Sequence, residues 1–180
     1  MKMNYRRFFI PNSIVFITFA TYERQEILIS NIDLLKDSIK QTKQIFKFEI
    51  IAICILKNHI HLLIKPEDIN TYPLIIKSIK RNFSTKFDTT QIENYTESKS
   101  RKNKNEKSIW QRRYWEHTII DENDLHKHID YIHYNPMKHY NIAPKDWIYS
   151  SFRKFVQNKY YDENWCNFDD RYNIKDLHYE

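Results

Sequence analysis

The chain contains no glycine among its 180 residues. Glycine lets a backbone approach a phosphate closely, and both the G-x-G-x-x-G dinucleotide fingerprint and the P-loop need it for that reason. The sequence therefore excludes the protein classes that bind nucleotide cofactors through either of these loops.

Length and charge predict a small basic protein. The length suits one compact domain with a short appendage, and the net charge of +6 favours an anionic partner. No apolar run approaches the about 20 residues that cross a bilayer, and the first residues lack the pattern of a secretory signal. We therefore expect a cytoplasmic protein without a membrane partner. The two cysteines, Cys54 and Cys166, have no C-x-x-C spacing, which argues against a disulfide framework or a thiolate zinc site.

Hydrophobic periodicity predicts the element order β-α-β-β-α-β followed by one more helix. Strand patterns cover residues 13–22, 49–56, 59–65 and 109–120, and helical patterns cover 31–46, 73–87 and 121–136. This order predicts an α+β protein with the ferredoxin-like split β-α-β fold. We expect an antiparallel sheet with helices on one face, plus the additional helix towards the C-terminus.

The segments around these elements complete the predicted organisation. Residues 88–107 are almost wholly polar and are expected to form a mobile, mostly basic loop. Pro136 is expected to end the last helix. We predict a single domain over residues 1–146 and a C-terminal extension over 147–180, which begins with a short helix.

The pair His59 and His61 on the third predicted strand is the strongest indication of chemistry. Side chains two positions apart on a strand share a face at a distance of about 7 Å, so both imidazoles can converge on one divalent ion. An isolated H-x-H pattern is also compatible with two histidines on a solvated strand face. A metal site would need a third ligand and a reactive group.

The helix predicted at 121–136 can supply both of these groups. At about 100° per residue, His128, Tyr131 and Asn135 border its apolar stripe. Tyr134 lies opposite the stripe and is expected to face water. A group on the border can face a site at the edge of the sheet. The alternative is that Tyr131 only packs beside the core and that Asn135 is simply a C-terminal helix residue.

Three sequence blocks together resemble the REP-associated tyrosine transposases, which are single-tyrosine HUH transposases with an IS200-like domain. The blocks are N-H-I-H-L-L-I-K-P, W-Q-R-R-Y-W-E-H-T-I-I and L-H-K-H-I-D-Y-I-H-Y-N-P-M-K-H, in the family's order. The similarity extends from Y-R-R-F-F-I to D-W-I-Y-S-S-F and so covers most of the chain. Two departures concern DNA recognition: the basic loop is longer than the core fold needs, and Tyr140 replaces a glycine that often follows the last block.

The resemblance implies roles for four residues. His59, His61 and Asn135 would be the metal ligands, and Tyr131 on the additional, catalytic helix would be the nucleophile. The enzyme would nick and rejoin single-stranded hairpin DNA of repeat elements through a 5′-phosphotyrosine, by transesterification. A phenol titrates at about pH 10 and the displaced 3′-oxygen becomes negative, so the reaction calls for a divalent ion. Mg²⁺ or Mn²⁺ suits such a site, and zinc stays an alternative.

Basic residues next to aromatic ones predict where DNA binds, because cations hold phosphates while rings stack on unpaired bases. The predicted DNA-binding residues are Lys99, Arg101, Lys102, Lys104, Lys107, Arg112 and Arg113. The alternative is a solvated loop followed by a strand whose rings pack into the core. Lys77, Lys80 and Arg81 are interpreted as an ordinary solvated helix face. We expect association with the nucleoid, and the sequence leaves monomer or homodimer undecided.

Two other functions stay open at the level of sequence. One is a non-catalytic nucleic-acid-binding module with a ferredoxin-like fold. The other is a metal-dependent phosphodiesterase that uses water while Tyr131 only packs. The joint presence of two histidines, a tyrosine and an asparagine favours the transposase, since a pure binder would not require all four.

Overall fold

A four-stranded antiparallel sheet forms the centre of the computed structural model, which describes residues 10–166. The strands are β1 (Val15–Ala20), β2 (Phe48–Ile55), β3 (His59–Pro66) and β4 (Trp115–Thr118). Their spatial order is β2-β3-β1-β4, so β4 forms one edge. The chain turns between β2 and β3 at Lys57 and Asn58, where Leu56 N–H donates to the His59 carbonyl at 2.9 Å.

Five α-helices accompany the sheet in the described part of the chain. They are α1 (Ile32–Ile45), α2 (Tyr72–Lys86), the single turn α3 (Lys99–Lys102), α4 (Glu122–Tyr140) and α5 (Phe152–Gln157). The order β1-α1-β2-β3-α2-β4 confirms the ferredoxin-like prediction. None of the described helices is long and apolar enough to cross a membrane.

Side-chain alternation along the strands gives the sheet two buried faces. Val15 and Ile17 point to one face, where they share an apolar core with residues of α1 and α2. Phe16 and Leu63 point to the other, where they pack with residues of α4 and α5. The predicted pair of helices therefore covers one face and the additional helix α4 covers the opposite one, which is why every residue of β1 is buried.

Helix α4 continues through Pro136, where the sequence predicted its end. Pro136 lacks an N–H and so weakens the helix, but it is buried, and packing of the surrounding turns offsets the lost hydrogen bond. The helix ends instead at Asn141, whose φ of 54° and N–H bond to the Met137 carbonyl form a left-handed cap that glycine usually provides. Other asparagines with positive φ are Asn12, Asn94 and Asn105. Asparagine thus takes several turn positions in a chain without glycine.

The region between α2 and α4 differs from the prediction in two ways. The fourth strand is only four residues long, because Arg112 and Arg113 turn outwards between it and Trp110, which forms an isolated bridge to Thr21. Residues 88–107, predicted to be a mobile loop, include α3 and two buried side chains, Ile92 and Arg101.

Residues 147–161 pack against β2 and α4. Trp147 Nε1 donates to the Ile55 carbonyl at 2.9 Å, and the backbone of Ser150 forms an isolated antiparallel β-bridge with Cys54. The domain boundary at residue 146 stays a prediction.

Candidate active site

His59 and His61 lie on the face of β3 that packs against α4. Both are buried, with exposures of 2% and 0%, and their ring centroids are 4.9 Å apart in an edge-to-face arrangement. The two imidazoles therefore share a face as alternation requires. Because that face is buried, the alternative of two solvated histidines does not apply.

Neighbouring side chains orient both imidazoles through Nδ1. His59 Nδ1 lies 2.6 Å from Asn58 Oδ1, and His61 Nδ1 lies 2.8 Å from the Thr18 hydroxyl. An amide oxygen only accepts, so we assign His59 the tautomer with the proton on Nδ1 and the lone pair on Nε2. Such an outer hydrogen bond is typical of metal-binding histidines.

A third imidazole, that of His139, completes a cluster with the H-x-H pair. Its ring centroid is 4.9 Å from that of His59, and candidate ligand atoms of the three histidines all lie within 4.8 Å of one another. The sequence-based prediction omits His139 because it ends the helix at Pro136. The available signal was the four-residue spacing after Asn135, which places both side chains on one helix face.

Tyr131 and Asn135 lie one turn apart on α4. The Tyr131 ring contacts the His61 ring edge-on, with 5.2 Å between centroids. Asn135 Nδ2 donates to the Tyr131 carbonyl at 2.7 Å, while its buried Oδ1 has no hydrogen-bond partner within the described residues. An unpaired buried oxygen costs about 1–3 kcal/mol. Imidazole nitrogens and amide oxygens are both ligand types that divalent ions accept, so the chemistry of these residues is compatible with such an ion.

The helix residues near the site are more deeply buried than predicted. His128, Tyr131 and Asn135 are fully buried, and Tyr134, which was expected to face water, is only 4% exposed. The reason is that α4 packs on the sheet while Trp147, Phe152 and Tyr161 cover other sides of it. The Tyr131 side chain is therefore closed off from solvent in this structure.

Lys138 lies close to the Tyr131 hydroxyl. Its ammonium nitrogen donates to Tyr131 Oη at 3.4 Å and lies 5.1 Å from the ring centre. A positive charge at this position would stabilise a negative charge on the phenolic oxygen. The sequence-based prediction misses Lys138, although its separation of seven residues, about two helical turns, places it on the Tyr131 side of α4.

A basic groove of about 860 Å³ lies beside α2, on the sheet face opposite α4. Cations from two segments line it: Lys77, Lys80 and Arg81 on α2, and Lys104, Lys107 and Arg112. Tyr114, which is half-buried, adds an aromatic ring to the wall. The α2 cations therefore belong to a shared basic surface, in contrast to the ordinary solvated face predicted for them.

Lys80 is one of the residues that line this groove. Its ammonium donates to the Gln111 carbonyl at 3.0 Å and lies within 6 Å of the ring centres of Phe19 and Tyr114. Burial lowers the pKa of Lys80 to about 8, although Glu106 opposes that shift. Lys80 thus carries less charge above neutral pH than the exposed cations do.

The predicted DNA-binding residues separate into three groups. Three line the groove: Lys104, Lys107 and Arg112. Three are exposed but lie outside its lining: Lys99, Lys102 and Arg113. The last, Arg101, is buried.

Arg101 is 5% exposed, and its guanidinium is held inside the protein. It donates to the Glu106 carboxylate at 2.7 Å and to the carbonyls of Lys107 and Trp110, and it stacks on the Tyr22 ring. These bonds hold the segment before β4 against the sheet. Arg101 therefore does not join the proposed DNA-binding residues.

Fold and site together define a class of protein. A ferredoxin-like sheet with a buried H-x-H pair beside a tyrosine on the neighbouring helix agrees with the resemblance to the single-tyrosine transposases. The family model described as "Transposase IS200 like" matches residues 10–135. The chain belongs to this family.

Relatives place it among the REP-associated tyrosine transposases. A protein of Haemophilus influenzae, whose name assigns it to this group, is 41% identical over 165 residues, which cover 90% of this chain and 92% of the relative. The REP-associated tyrosine transposase of Escherichia coli K12 is 30% identical over 165 residues, with 90% of each chain covered.

A solved structure of a REP-associated tyrosine transposase bound to a REP hairpin matches this chain with a TM-score of 0.74. Sequence identity is 28%, and 91% of each chain is covered. The family resemblance is thereby confirmed. Tyrosine transposases are DNA nicking and joining enzymes, so the chain is an enzyme of that kind.

Proposed function

We propose that this protein nicks and rejoins single-stranded or hairpin DNA through a covalent bond between Tyr131 and a 5′-phosphate. One observation carries the proposal: within a single chain, the Tyr131 ring lies 5.2 Å from the ring of His61, a member of the histidine cluster. The relative that binds a REP hairpin supports hairpin DNA as the partner.

The proposed step is an exchange of one phosphate ester for another. Tyr131 Oη forms a bond to the scissile phosphorus, and the bond between that phosphorus and the 3′-oxygen breaks. The phenolic proton passes to solvent, and the released 3′-oxygen takes up a proton. Because the ester is conserved in the phosphotyrosine, attack by a 3′-hydroxyl can rejoin a strand and free Tyr131.

His59, His61 and Asn135 would hold a divalent ion, and His139 is a further candidate ligand. When bound, such an ion supplies positive charge for the scissile phosphate and for the oxygen that it releases. Neutral ligands leave the whole charge of the ion for that purpose, and Mg²⁺ or Mn²⁺ suits a site that shares its ion with phosphate oxygens. Asn58 and Thr18 hold the two strand imidazoles in place.

The basic groove is the proposed contact for the DNA backbone. Its cations come from two segments that are distant in sequence, so they can neutralise several phosphates at once. Tyr114 offers a half-buried ring on which an unpaired base can stack. The exposed residues Lys99, Lys102 and Arg113 extend this basic surface.

The test is a set of Tyr→Phe variants incubated with end-labelled hairpin DNA and Mn²⁺, followed by denaturing gel analysis. Tyr131→Phe removes one oxygen and keeps the packed ring, so it should fold normally but give neither adduct nor cleavage. Tyr114→Phe and Tyr134→Phe are matched controls that should keep both.

Each of the other possible outcomes would support a different nucleophile or a different function. An adduct in Tyr131→Phe would contradict the assignment of the nucleophile. Cleavage without an adduct in the unmodified protein would favour the phosphodiesterase. Tight binding without cleavage would favour the non-catalytic module.

A further inference from the structure

A second group of metal-binding side chains lies where β4 meets the start of α4. His117 lies on β4, and Asp124 and His128 lie one turn apart on α4. The Asp124 carboxylate reaches both rings: Oδ2 is 2.7 Å from His117 Nε2, and Oδ1 is 3.0 Å from His128 Nδ1. The two imidazoles stack with 4.8 Å between centroids, and the three candidate ligand atoms all lie within 4.8 Å of one another.

This group is distinct from the histidine cluster beside Tyr131. The Phe16 ring lies between the two, with its centroid 4.8 Å from that of His128 and 5.9 Å from that of His61. The proposed strand exchange uses none of the three residues, so their convergence calls for another explanation.

We propose that His117, Asp124 and His128 form a second divalent metal site, of the class that binds Zn²⁺. Two imidazoles and one carboxylate are a known ligand set for this ion, and three protein ligands leave a fourth position for water. The arrangement also has the usual construction of such sites, since two ligands one helical turn apart share a face and a third comes from a neighbouring strand.

The protonation states favour binding of a cation at neutral pH. Burial raises the pKa of the Asp124 carboxyl, but hydrogen bonds from His117 and from Ile120 N–H outweigh it and hold that pKa below its usual value. Burial also lowers the pKa of His128. The carboxylate is therefore charged and the buried imidazole neutral, as metal ligands must be.

An ion can reach this group without unfolding of the chain. The His117 side chain is 30% exposed and that of Asp124 is 14% exposed, whereas that of His128 forms the closed end of the group. His128 Nδ1 also lies 2.8 Å from the Asp124 carbonyl. Binding through this nitrogen would require the ring proton to move from Nδ1 to Nε2 by exchange with solvent, so that the imidazole stays neutral. The ion would then replace hydrogen bonds that now hold the group together.

Binding of the ion would hold two elements of the fold together. An ion held by all three residues would join the edge strand β4 to the first turns of α4, and His128 lies only three residues before Tyr131. The site would fix the position of the helix that carries the nucleophile, without touching the reacting phosphate.

Co²⁺ is a suitable probe, because its visible absorption reports nitrogen and oxygen ligands directly. A His59→Ala/His61→Ala variant of the full chain disables the first cluster and isolates the second. We expect this variant to bind one equivalent of Co²⁺ and Zn²⁺ to displace it. Adding His117→Phe, which keeps an aromatic ring beside Trp115, should lower the apparent affinity at least about tenfold. His126→Ala is the matched control, since His126 lies on the same helix outside the group.

Two results would overturn the proposal: no Co²⁺ binding by the His59→Ala/His61→Ala variant, or equal affinity with and without His117→Phe. Asp124→Asn keeps the shape of the third ligand and should weaken binding in the same way, and circular dichroism checks that each variant folds. Because no DNA is used, failure here is distinct from failure of the proposed strand exchange.

Discussion

Single atoms decide how the residues around Tyr131 can act. Asn135 donates to the Tyr131 carbonyl through Nδ2, and this bond fixes the amide so that Oδ1 points away from its own helix backbone. His59 and His61 are held through Nδ1 by neighbours on the sheet and its turn. Such bonds set ligand direction before an ion binds, which lowers the cost of ordering the site.

The first prediction at this scale concerns Lys138. Its ammonium lies 3.4 Å from Tyr131 Oη, so it should stabilise the phenolic oxygen as that oxygen becomes negative. Lys138→Met keeps length and removes charge, and it should slow adduct formation about tenfold or more, in line with about 1.5–3 kcal/mol for a charged hydrogen bond. Lys138→Arg should restore most of the rate. Single-turnover rates at saturating DNA are the measurement, and equal rates for the Met variant and the unmodified protein would argue against this role.

The second prediction concerns the metal. His59→Ala or His61→Ala should abolish cleavage and leave hairpin binding within a few-fold, because the ion acts on charge in the transition state more than on ground-state affinity. His139→Ala and Asn135→Ala should each weaken Mn²⁺ binding, measured by calorimetry. His126→Ala is the control. Full cleavage in a chelator, or in either H-x-H variant, would rule out the metal role.

At the scale of elements, the groove between α2 and the segment before β4 leads to a prediction about salt. Log affinity for DNA falls with log salt by about 0.9 per phosphate contact on a duplex. Lys77→Gln/Arg81→Gln/Lys104→Gln removes three groove cations and should make this slope shallower. The control is Lys36→Gln/Lys40→Gln/Lys43→Gln on α1. It removes the same amount of positive charge from residues that do not line the groove, so it should leave the slope nearly unchanged.

The comparison of the two triple variants separates local contacts from net charge. If both change the slope equally, only the overall charge of the protein matters and the groove is not the binding surface. Hairpin affinity measured at several salt concentrations decides between these outcomes.

Elements with one dominant period could be predicted from the sequence. The strands β1, β2 and β3 are short runs rich in β-branched and aromatic residues, and the helical stripes of α1 and α2 each follow from one buried face, so their order and type are correct. Helix α4 could not be predicted in full, because it is buried on more than one side and its exposed-looking positions, such as Tyr134, are covered by residues distant in sequence.

Prediction of the candidate site from the sequence is limited in the same way. Local spacing predicts that His59 and His61 share a face and that Tyr131 and Asn135 share a helix side. It does not predict His139, because the helix continues through proline only when tertiary packing offsets the lost bond. Arg101 was mistaken for a surface cation for a similar reason, since only the fold provides its internal acceptors.

At the scale of the whole molecule, a buried polar network joins α4 to the segment that covers it. His133 Nε2 lies 2.8 Å from the Ser151 hydroxyl, and Nδ1 lies 3.2 Å from the Tyr161 hydroxyl. Tyr161 in turn donates to the Asp130 carboxylate at 2.6 Å. This network ties residues on both sides of α5 to the helix that carries Tyr131.

The network makes the stability of the protein sensitive to acid. Burial lowers the pKa of His133 to about 3, whereas in the unfolded chain an imidazole titrates at about 6.5. Below the latter value the unfolded state binds more protons than the folded state, so stability falls as pH drops from about 6.5 towards 3. At pH 5 the loss from this one group is about 2 kcal/mol.

The last prediction follows from this fall in stability at low pH. Denaturant unfolding of the unmodified protein should show a free energy of unfolding that decreases steadily between pH 7 and pH 5. His133→Gln should be less stable at pH 7, because it loses bonds to Tyr161 or Ser151, but its stability should change less over the same range. His126→Gln, a change at an exposed position of the same helix, should keep the slope of the unmodified protein. Burial also lowers the pKa of His128, so some slope remains in every variant. If the free energy of unfolding changes with pH equally in His133→Gln and in the unmodified protein, protonation of His133 is not the cause of the acid sensitivity.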